Sequence, residues 1–101
     1  MWRIGIIGGT IIRMDIEFDP VKSEANRLKH GVTLDLAARM EWDTAITWPD
    51  ARENYGEDRQ CGIGYIGLTL YVAAFVDRDP VRRIISLRKA TRKEVKRYAE
   101  T

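Results

Sequence analysis

The sequence is poor in the residues that build disulfide-linked or metal-linked scaffolds. It contains one cysteine, Cys61, and one histidine, His30. A single cysteine excludes an internal disulfide, and without a Cys-x-x-Cys pair or a cluster of His and Cys the sequence predicts no thiolate metal site. The chain therefore fits a reducing cytoplasm, and we expect it to work without a metal ion or another cofactor.

Long apolar segments are also missing. The apolar run in residues 1–9 is interrupted by glycines within a few positions, so it is too short to cross a membrane or to direct export. The chain has three prolines, 45% hydrophobic residues and 32% charged residues in 101 positions. This composition predicts one globular domain with a single core and no membrane segment.

The formal net charge is low, at +2, but it is distributed unevenly along the chain. Residues 82–101 hold eight lysines and arginines against two glutamates, which gives this segment a charge of +6 and leaves −4 for the rest. Such polarity predicts a C-terminal surface that attracts a polyanion, while the remainder repels it or binds a basic partner.

Helix start and stop signals occur at three places. Asp19 and Pro20 suit the start of a helix that Gly31 can end, which predicts a helix over Pro20–His30. A second helix is expected over residues 34–40, with Thr33 as its N-cap. Near the C-terminus, the sequence from Thr91 to Glu94 has the form of a capping box and predicts a last helix.

Strand signals fill the region between these helices. Residues 43–59 are predicted to form a short strand followed by a loop, and residues 60–66 and 68–77 a hairpin that turns at Gly67. Residues 77–80 form a second turn that leads to a strand over 81–88. The predicted fold class is α+β: a single domain with an antiparallel β-meander sheet, two N-terminal helices and one C-terminal helix, the helices packed on one face.

Two segments resemble the BrnT family of toxins. Both combine helix or strand boundaries with basic residues at fixed spacing, and the likeness extends over residues 15–100. The segments are Phe18-Asp19-Pro20-x-Lys22-x-x-x-Asn26-x-x-Lys29-His30-Gly31-Val32 and Arg82-x-Ile84-Ile85-Ser86-x-Arg88-x-Ala90-Thr91-x-x-Glu94-x-x-x-Tyr98.

The resemblance implies a fold similar to the RelE ribonuclease toxins and a function in a type II toxin–antitoxin system. It implies degradation of RNA, arrest of growth, and neutralisation by a BrnA-like antitoxin with a ribbon-helix-helix domain. Operator DNA is expected to bind only through the antitoxin complex. Residues 14–101 form the expected toxin domain, and residues 1–13 are interpreted as an N-terminal extension or an extended gene start.

Metal-free cleavage of RNA needs a base for the 2′-hydroxyl proton and cations that stabilise charge on phosphorus. His30 titrates near neutrality and is the candidate base or acid, although a histidine at a helix end also serves as a cap. The candidate cations are Arg88, Arg59 and Arg82. Because side chains alternate between the two faces of a strand, Arg82, Ser86 and Arg88 are predicted to point to one side of their strand. For Arg59 and Arg82 a surface ion pair is an equal alternative.

RNA-binding candidates lie on three predicted elements: the first helix, the strand over residues 81–88 and the last helix. Lys22, Asn26 and Lys29 are spaced to share one helix face and to line a phosphate track, with a solvated polar face as an equal alternative. The others would raise affinity for RNA without selecting its sequence. They are Arg83, Lys93, Lys96 and Arg97.

Two other function classes stay open from the sequence. The chain could be a non-catalytic RNA- or DNA-binding module that uses the basic C-terminal strand and helix. Alternatively, it could be a protein-interaction domain whose basic patch receives an acidic segment of another chain. Cleavage of purified RNA in EDTA separates the enzyme from both.

Overall fold

The computed structural model describes residues 2–7, 10–52, 54–78 and 80–101. Position 79 of the predicted turn and positions 1, 8 and 9 of the predicted extension lie outside these residues. In chain order the elements are β1 (Trp2–Ile7), β2 (Thr10–Glu17), α1 (Pro20–His30), a 3-10 helix (Leu34–Arg39), a shorter 3-10 helix (Trp42–Thr44), β3 (Ile46–Pro49), β4 (Arg59–Ile66), β5 (Thr69–Arg78), β6 (Val81–Lys89) and α2 (Arg92–Ala99).

The ends of α1 are fixed by the residues that predicted them. The Asp19 carboxylate accepts a hydrogen bond from the Val21 amide at 2.9 Å, and Pro20 occupies the first turn. Gly31 adopts a left-handed conformation with φ of 82°, and its amide donates to the Arg27 carbonyl. The prediction of a helix over Pro20–His30 is confirmed.

The other two predicted helices have different outcomes. The capping box of α2 forms as expected, because the Thr91 hydroxyl accepts from the Glu94 amide and the Glu94 carboxylate accepts from the Thr91 amide. The second predicted helix is a 3-10 helix over Leu34–Arg39 instead of an α-helix. The Thr33 side chain does not cap it, which removes one source of stability for a regular helix start.

Six strands form one sheet in the order β1-β2-β6-β5-β4-β3. Strands β3 to β6 form the predicted antiparallel meander. The sheet as a whole is mixed, because β2 pairs in parallel with β6 from Asp15 to Glu17 and β1 pairs antiparallel with β2. The prediction of a purely antiparallel sheet is therefore wrong at this edge, where the segment before Phe18 adds strands to β6.

Apolar side chains are buried on both faces of this sheet. The main core contains Tyr71, Ala73 and Phe75 of β5, packed against residues of the first 3-10 helix. Leu70 and Val72 form a second cluster against which Tyr98 of α2 packs. Because successive side chains of a strand point to opposite faces, the first set defines a core face and the second an α2 face. The expectation that all helices lie on one face is wrong.

A β-bulge in β6 changes which of its side chains share a face. Ala74 pairs with Ser86, but Phe75 pairs with Ile84, so Ile85 is an extra residue in β6. Side-chain alternation is shifted beyond this point. Arg82, before the bulge, lies on the core face, whereas Ser86 and Arg88 lie on the α2 face. The prediction that these three residues point to one side is therefore wrong.

Helix α1 presents polar residues to the protein and apolar residues to solvent. Val21 and Leu28 are 78% and 74% exposed, while Ser23 and Asn26 are buried. The Asn26 side-chain amide donates to the Leu87 carbonyl at 2.8 Å and accepts from the Leu87 amide at 3.1 Å. Because β2 pairs with β6 only over residues 81–83, Asn26 takes the place of a neighbouring strand at Leu87.

Replacing Asn26 by Ala is expected to lower the free energy of unfolding by about 2–3 kcal/mol, because the Leu87 amide and carbonyl and the Val32 carbonyl each lose a partner. Urea unfolding measures this change. Lys22→Ala is the matched control, since Lys22 is exposed on the same helix and should change stability by less than about 0.5 kcal/mol. Equal effects of the two substitutions would contradict the strand-like role of Asn26.

None of the helices in the described ranges is long and apolar enough to cross a membrane.

Candidate functional site

The α2 face carries a shallow floor of small side chains between arginines. Three cross-strand rows over β4, β5 and β6 define it: Arg59, Val76 and Arg83; Cys61, Ala74 and Ser86; and Ile63, Val72 and Arg88. The arginines of the outer rows place positive charge on either side of the small middle row, in which Cys61 and Ala74 are buried. We call this region the arginine surface.

Arg88 is held by a two-pronged ion pair. Its Nη1 and Nη2 atoms donate to Oε1 and Oε2 of Glu94 at 2.8 and 2.9 Å. These bonds, with help from the Thr91 amide, lower the pKa of Glu94 to about 2 and raise the pKa of Arg88. The pair fixes the guanidinium at the surface, where its side chain is 36% exposed.

Glu94 was missed as a site residue from the sequence because the capping box already accounted for it. Its carboxylate both closes the first turn of α2 and binds Arg88. Six positions separate the two residues, and no helix or strand period connects them. The sequence therefore carries no signal for the ion pair between Glu94 and Arg88.

This pair predicts an acid-sensitive contribution to stability. The pKa of Glu94 is about 2 in the folded protein and 4.5 without its partners, so the contribution is complete above pH 4.5 and is lost as the pH falls towards 2. We expect a loss of about 1–2 kcal/mol, because the partly exposed pair is screened by solvent. Urea unfolding at pH 5 and 3 measures it for the wild type and for Glu94→Gln.

In that comparison Glu94→Gln is informative because glutamine also serves in a capping box. Other carboxylates with lowered pKa values, such as Asp50, titrate equally in both proteins. The stability difference between wild type and variant should therefore shrink on acidification. A constant difference would mean that Glu94 contributes through the helix cap alone.

His30 lies at the end of α1 with a half-buried side chain. Burial lowers its pKa, and the positive charges of Lys29 and Arg88 lower it further. Its imidazole is therefore mainly neutral at pH 7, and no other side chain in the described ranges hydrogen-bonds to it. A neutral imidazole near a guanidinium can accept a proton from a group bound between them.

Arg59 lies at the other end of the arginine surface. Its guanidinium stacks 3.7 Å over the centre of the Tyr55 ring, and its Nη2 lies 3.4 Å from a Glu57 carboxylate oxygen. The Nε atom is buried and has no hydrogen-bond partner in the described part of the chain. The stacking on Tyr55 and the contact with Glu57 hold this guanidinium at the end of the arginine surface, where it adds positive charge.

Asp50 and Arg52 lie beside this floor and were also missed. The buried Asp50 carboxylate accepts from Nε and Nη2 of Arg52 at 2.8 and 2.7 Å, and the bonds lower the pKa of Asp50. Burial and the Asp50 charge raise the pKa of the Cys61 thiol. Cys61 is therefore protonated at neutral pH and is a poor nucleophile.

Arg82 is separated from these groups by the sheet. It donates to both carboxylate oxygens of Asp77, at 2.6 and 3.0 Å. Its guanidinium also lies 4.1 Å from the centre of the Phe75 ring and 4.6 Å from that of Trp42. Arg59 and Arg88 lie on the same face of the sheet and Arg82 lies on the opposite one. His30 lies at the end of α1, where the charge of Arg88 contributes to its lowered pKa.

The predicted RNA-binding residues divide by exposure. Asn26 is buried and its amide is fully used, so it does not share an exposed face with Lys22 and Lys29. Arg83 lies on the α2 face, 3.4 Å from Glu17. The exposed cations are on two helices and form no salt bridge within the described ranges: Lys22 and Lys29 of α1, and Lys93, Lys96 and Arg97 of α2.

Metal-ligating residues do not cluster in this region. Among the residues that the structure describes, no group of three or more His, Cys, Asp or Glu side chains could hold a metal ion. The chemistry available at the arginine surface is that of fixed guanidinium groups and ionised carboxylates.

Comparison with known families identifies the chain. A search of curated proteins finds no match. The sequence model of one family, described as the ribonuclease toxin BrnT of type II toxin–antitoxin systems, matches residues 18–94. This match covers more than half of the chain and contains His30, Arg59, Arg88 and Glu94. The chain therefore belongs to the BrnT family of ribonuclease toxins of type II toxin–antitoxin systems.

Proposed function

We propose that the protein is a metal-independent RNA endonuclease whose reaction takes place between His30 and Arg88. The observation that carries this proposal is the two-pronged ion pair that fixes the Arg88 guanidinium on the arginine surface. The positive charge of Arg88 also contributes to the lowered pKa of His30. His30 takes the proton of a ribose 2′-hydroxyl, whose oxygen then attacks the adjacent phosphorus. The bond between phosphorus and the 5′ oxygen breaks, the 5′ oxygen takes a proton from water, and the product ends in a 2′,3′-cyclic phosphate.

Arg88 stabilises the negative charge that develops on the phosphate oxygens. Glu94 occupies one donor direction of each terminal nitrogen, which leaves Nε and part of Nη2 free for a phosphate. The ion pair also holds the guanidinium in place before the substrate arrives. A donor that needs no reorganisation stabilises a transition state more effectively than a mobile one.

Affinity for RNA comes from the exposed cations of α1 and α2. Each phosphate contact releases counterions, so binding should weaken steeply as salt increases. Asn26 is not among the proposed contacts, because its amide is already bound to Leu87 and Val32. The proposed RNA contacts are Lys22, Lys29, Lys93, Lys96 and Arg97 on these helices, together with the partly exposed Arg83 of β6.

The partner in this proposal is a BrnA-like antitoxin with a ribbon-helix-helix domain. The family match supports an antitoxin as partner and RNA as substrate. The type of antitoxin, the binding of operator DNA through the complex, a RelE-like fold and a cytoplasmic location follow from the resemblance and stay predictions. The same holds for the division into an extension, 1–13, and a toxin domain, 14–101.

Incubation of the purified chain with a short RNA in EDTA tests the reaction. We expect fragments that end in a 2′,3′-cyclic phosphate, and no cleavage of the same sequence made with 2′-deoxyribose, since the nucleophile is then missing. Binding of RNA without cleavage would favour the non-catalytic nucleic-acid-binding module. If the chain neither binds nor cleaves the RNA, the result would favour a protein-interaction domain.

A further inference from the structure

A cleft lies between α2 and the strands β3 and β4, next to the ion pair of Arg88. Its volume is about 150 Å³, a size at which a cavity accepts one aromatic ring. The walls are mainly apolar and are formed by Ile46, Trp48, Ile63 and Tyr98, with Glu94 and Arg97 as the charged members. We call this the α2 cleft.

We propose that the α2 cleft binds one nucleobase of the RNA, beside the phosphate held at Arg88. This inference rests on the proposed function and adds a base-binding subsite to it. Single-stranded RNA is commonly bound by stacking unpaired bases on aromatic side chains while cations hold the backbone. Both kinds of group meet at this cleft.

The aromatic walls are suited to stacking. Trp48 is 39% exposed although it is a large apolar residue. Tyr98 is fixed in position, because its hydroxyl donates to the Thr44 carbonyl at 3.1 Å and its ring packs edge-to-face on Tyr65 at 5.6 Å. A rigid ring loses little entropy when a base stacks on it.

Glu94 joins the cleft to the phosphate position. Glu94 is one of the residues that line the cleft, and its carboxylate binds Arg88. Among the residues that the structure describes, Oε1 accepts from both Arg88 and the Thr91 amide, and Oε2 accepts from Arg88 alone. Oε2 can therefore accept another hydrogen bond, and an N–H group on the edge of a nucleobase can donate it.

The same carboxylate disfavours an apolar protein side chain as the occupant. An aliphatic group that filled the cleft would remove water from an ionised carboxylate without giving it a donor, which is costly. A base covers the apolar walls and also offers N–H groups to Glu94. Arg97, exposed on the same helix, supplies a cation for the nucleotide that carries the base.

The test measures how binding depends on a base at constant backbone charge. The probes are a short RNA with a 2′-O-methyl group at every ribose, which prevents cleavage, and versions with one abasic position each. We expect the wild type to bind the full RNA about tenfold more tightly than the version that lacks the stacked base. Trp48→Ala should reduce this ratio to below twofold and leave the affinity for the abasic RNA unchanged.

Leu68→Ala is the control variant, because Leu68 is 99% exposed and lies outside the cleft; it should keep the tenfold ratio. A ratio that Trp48→Ala leaves unchanged would overturn the base subsite, and the proposed nuclease would stand if RNA is still cut in EDTA. Loss of antitoxin binding in Trp48→Ala with an unchanged ratio would also overturn it and assign the cleft to protein. A wild type that binds no RNA would overturn the proposed function and this subsite together.

Discussion

His30→Gln is expected to lower the rate of RNA cleavage by about 10²- to 10⁴-fold, the range that a positioned general base contributes. The imidazole is neutral at pH 7 because burial and the charges of Lys29 and Arg88 lower its pKa. Glutamine keeps a polar side chain at the end of α1 but cannot take the 2′-hydroxyl proton. Single-turnover cleavage of a short RNA at saturating enzyme measures the effect apart from RNA affinity.

The pH dependence identifies the group responsible. In the wild type, the rate should fall on acidification through a pKa below 6.5, the ordinary value for His30, because protonated imidazole cannot act as a base. His30→Gln should lack this acid limb. Lys29→Gln removes one of the charges that lower the pKa of His30, so its acid limb should move to higher pH while the maximal rate changes little.

Two outcomes would contradict this assignment. If His30→Gln cut RNA at the wild-type rate, His30 would serve only as a helix cap, which was the alternative from the sequence. If the variant were slow but kept the wild-type acid limb, another group would be the base. Circular dichroism of each variant checks that the helix and the sheet are intact.

Helix ends and the hairpin were predictable because their causes are local. Asp19, Pro20 and Gly31 act within a turn of α1, and the box of Thr91 and Glu94 closes within one turn of α2. Gly67 adopts φ of 63° at the hairpin turn, a conformation that few other residues accept. Each of these contacts joins residues that are four or fewer positions apart.

The orientation of α1 was not predictable from its own sequence. Val21 and Leu28 give the helix an apolar stripe, yet the buried residues are Ser23 and Asn26. What determines the orientation is the open edge of β6 at Leu87, which is 61 positions from Asn26. A hydrogen bond between such distant residues leaves no periodic pattern in the sequence.

The composition of the site depended on one inserted residue in β6. Regular alternation of side chains along a strand would place Arg82 and Arg88 on the same face of the sheet. The bulge at Ile85 puts them on opposite faces instead. The residue types gave His30 and Arg88 as candidates, but which arginines share a face of the sheet follows only from the register of β5 and β6. Glu94 and Asp50 were missed because their partners are defined by tertiary packing.

Arg88→Ala is expected to lower the cleavage rate by about 10²- to 10³-fold. This is the effect of removing one fixed hydrogen-bond donor from an oxyanion that forms in a transition state. Arg88→Lys should recover only part of the rate, because an ammonium group keeps the charge but not the planar pair of donors. Single-turnover cleavage measures both variants. RNA affinity should fall much less than the rate, since the exposed lysines of α1 and α2 remain.

Two further variants separate the role of the guanidinium from that of the ion pair and of general stability. Glu94→Gln breaks the pair with Arg88 but can keep the helix cap, so it should lose much less activity than Arg88→Ala. Arg82→Lys loosens the contacts with Asp77 and Phe75 on the other face, and should reduce stability but not the cleavage rate of the folded enzyme. A rate loss in Arg82→Lys equal to that of Arg88→Lys would move the reaction to the core face.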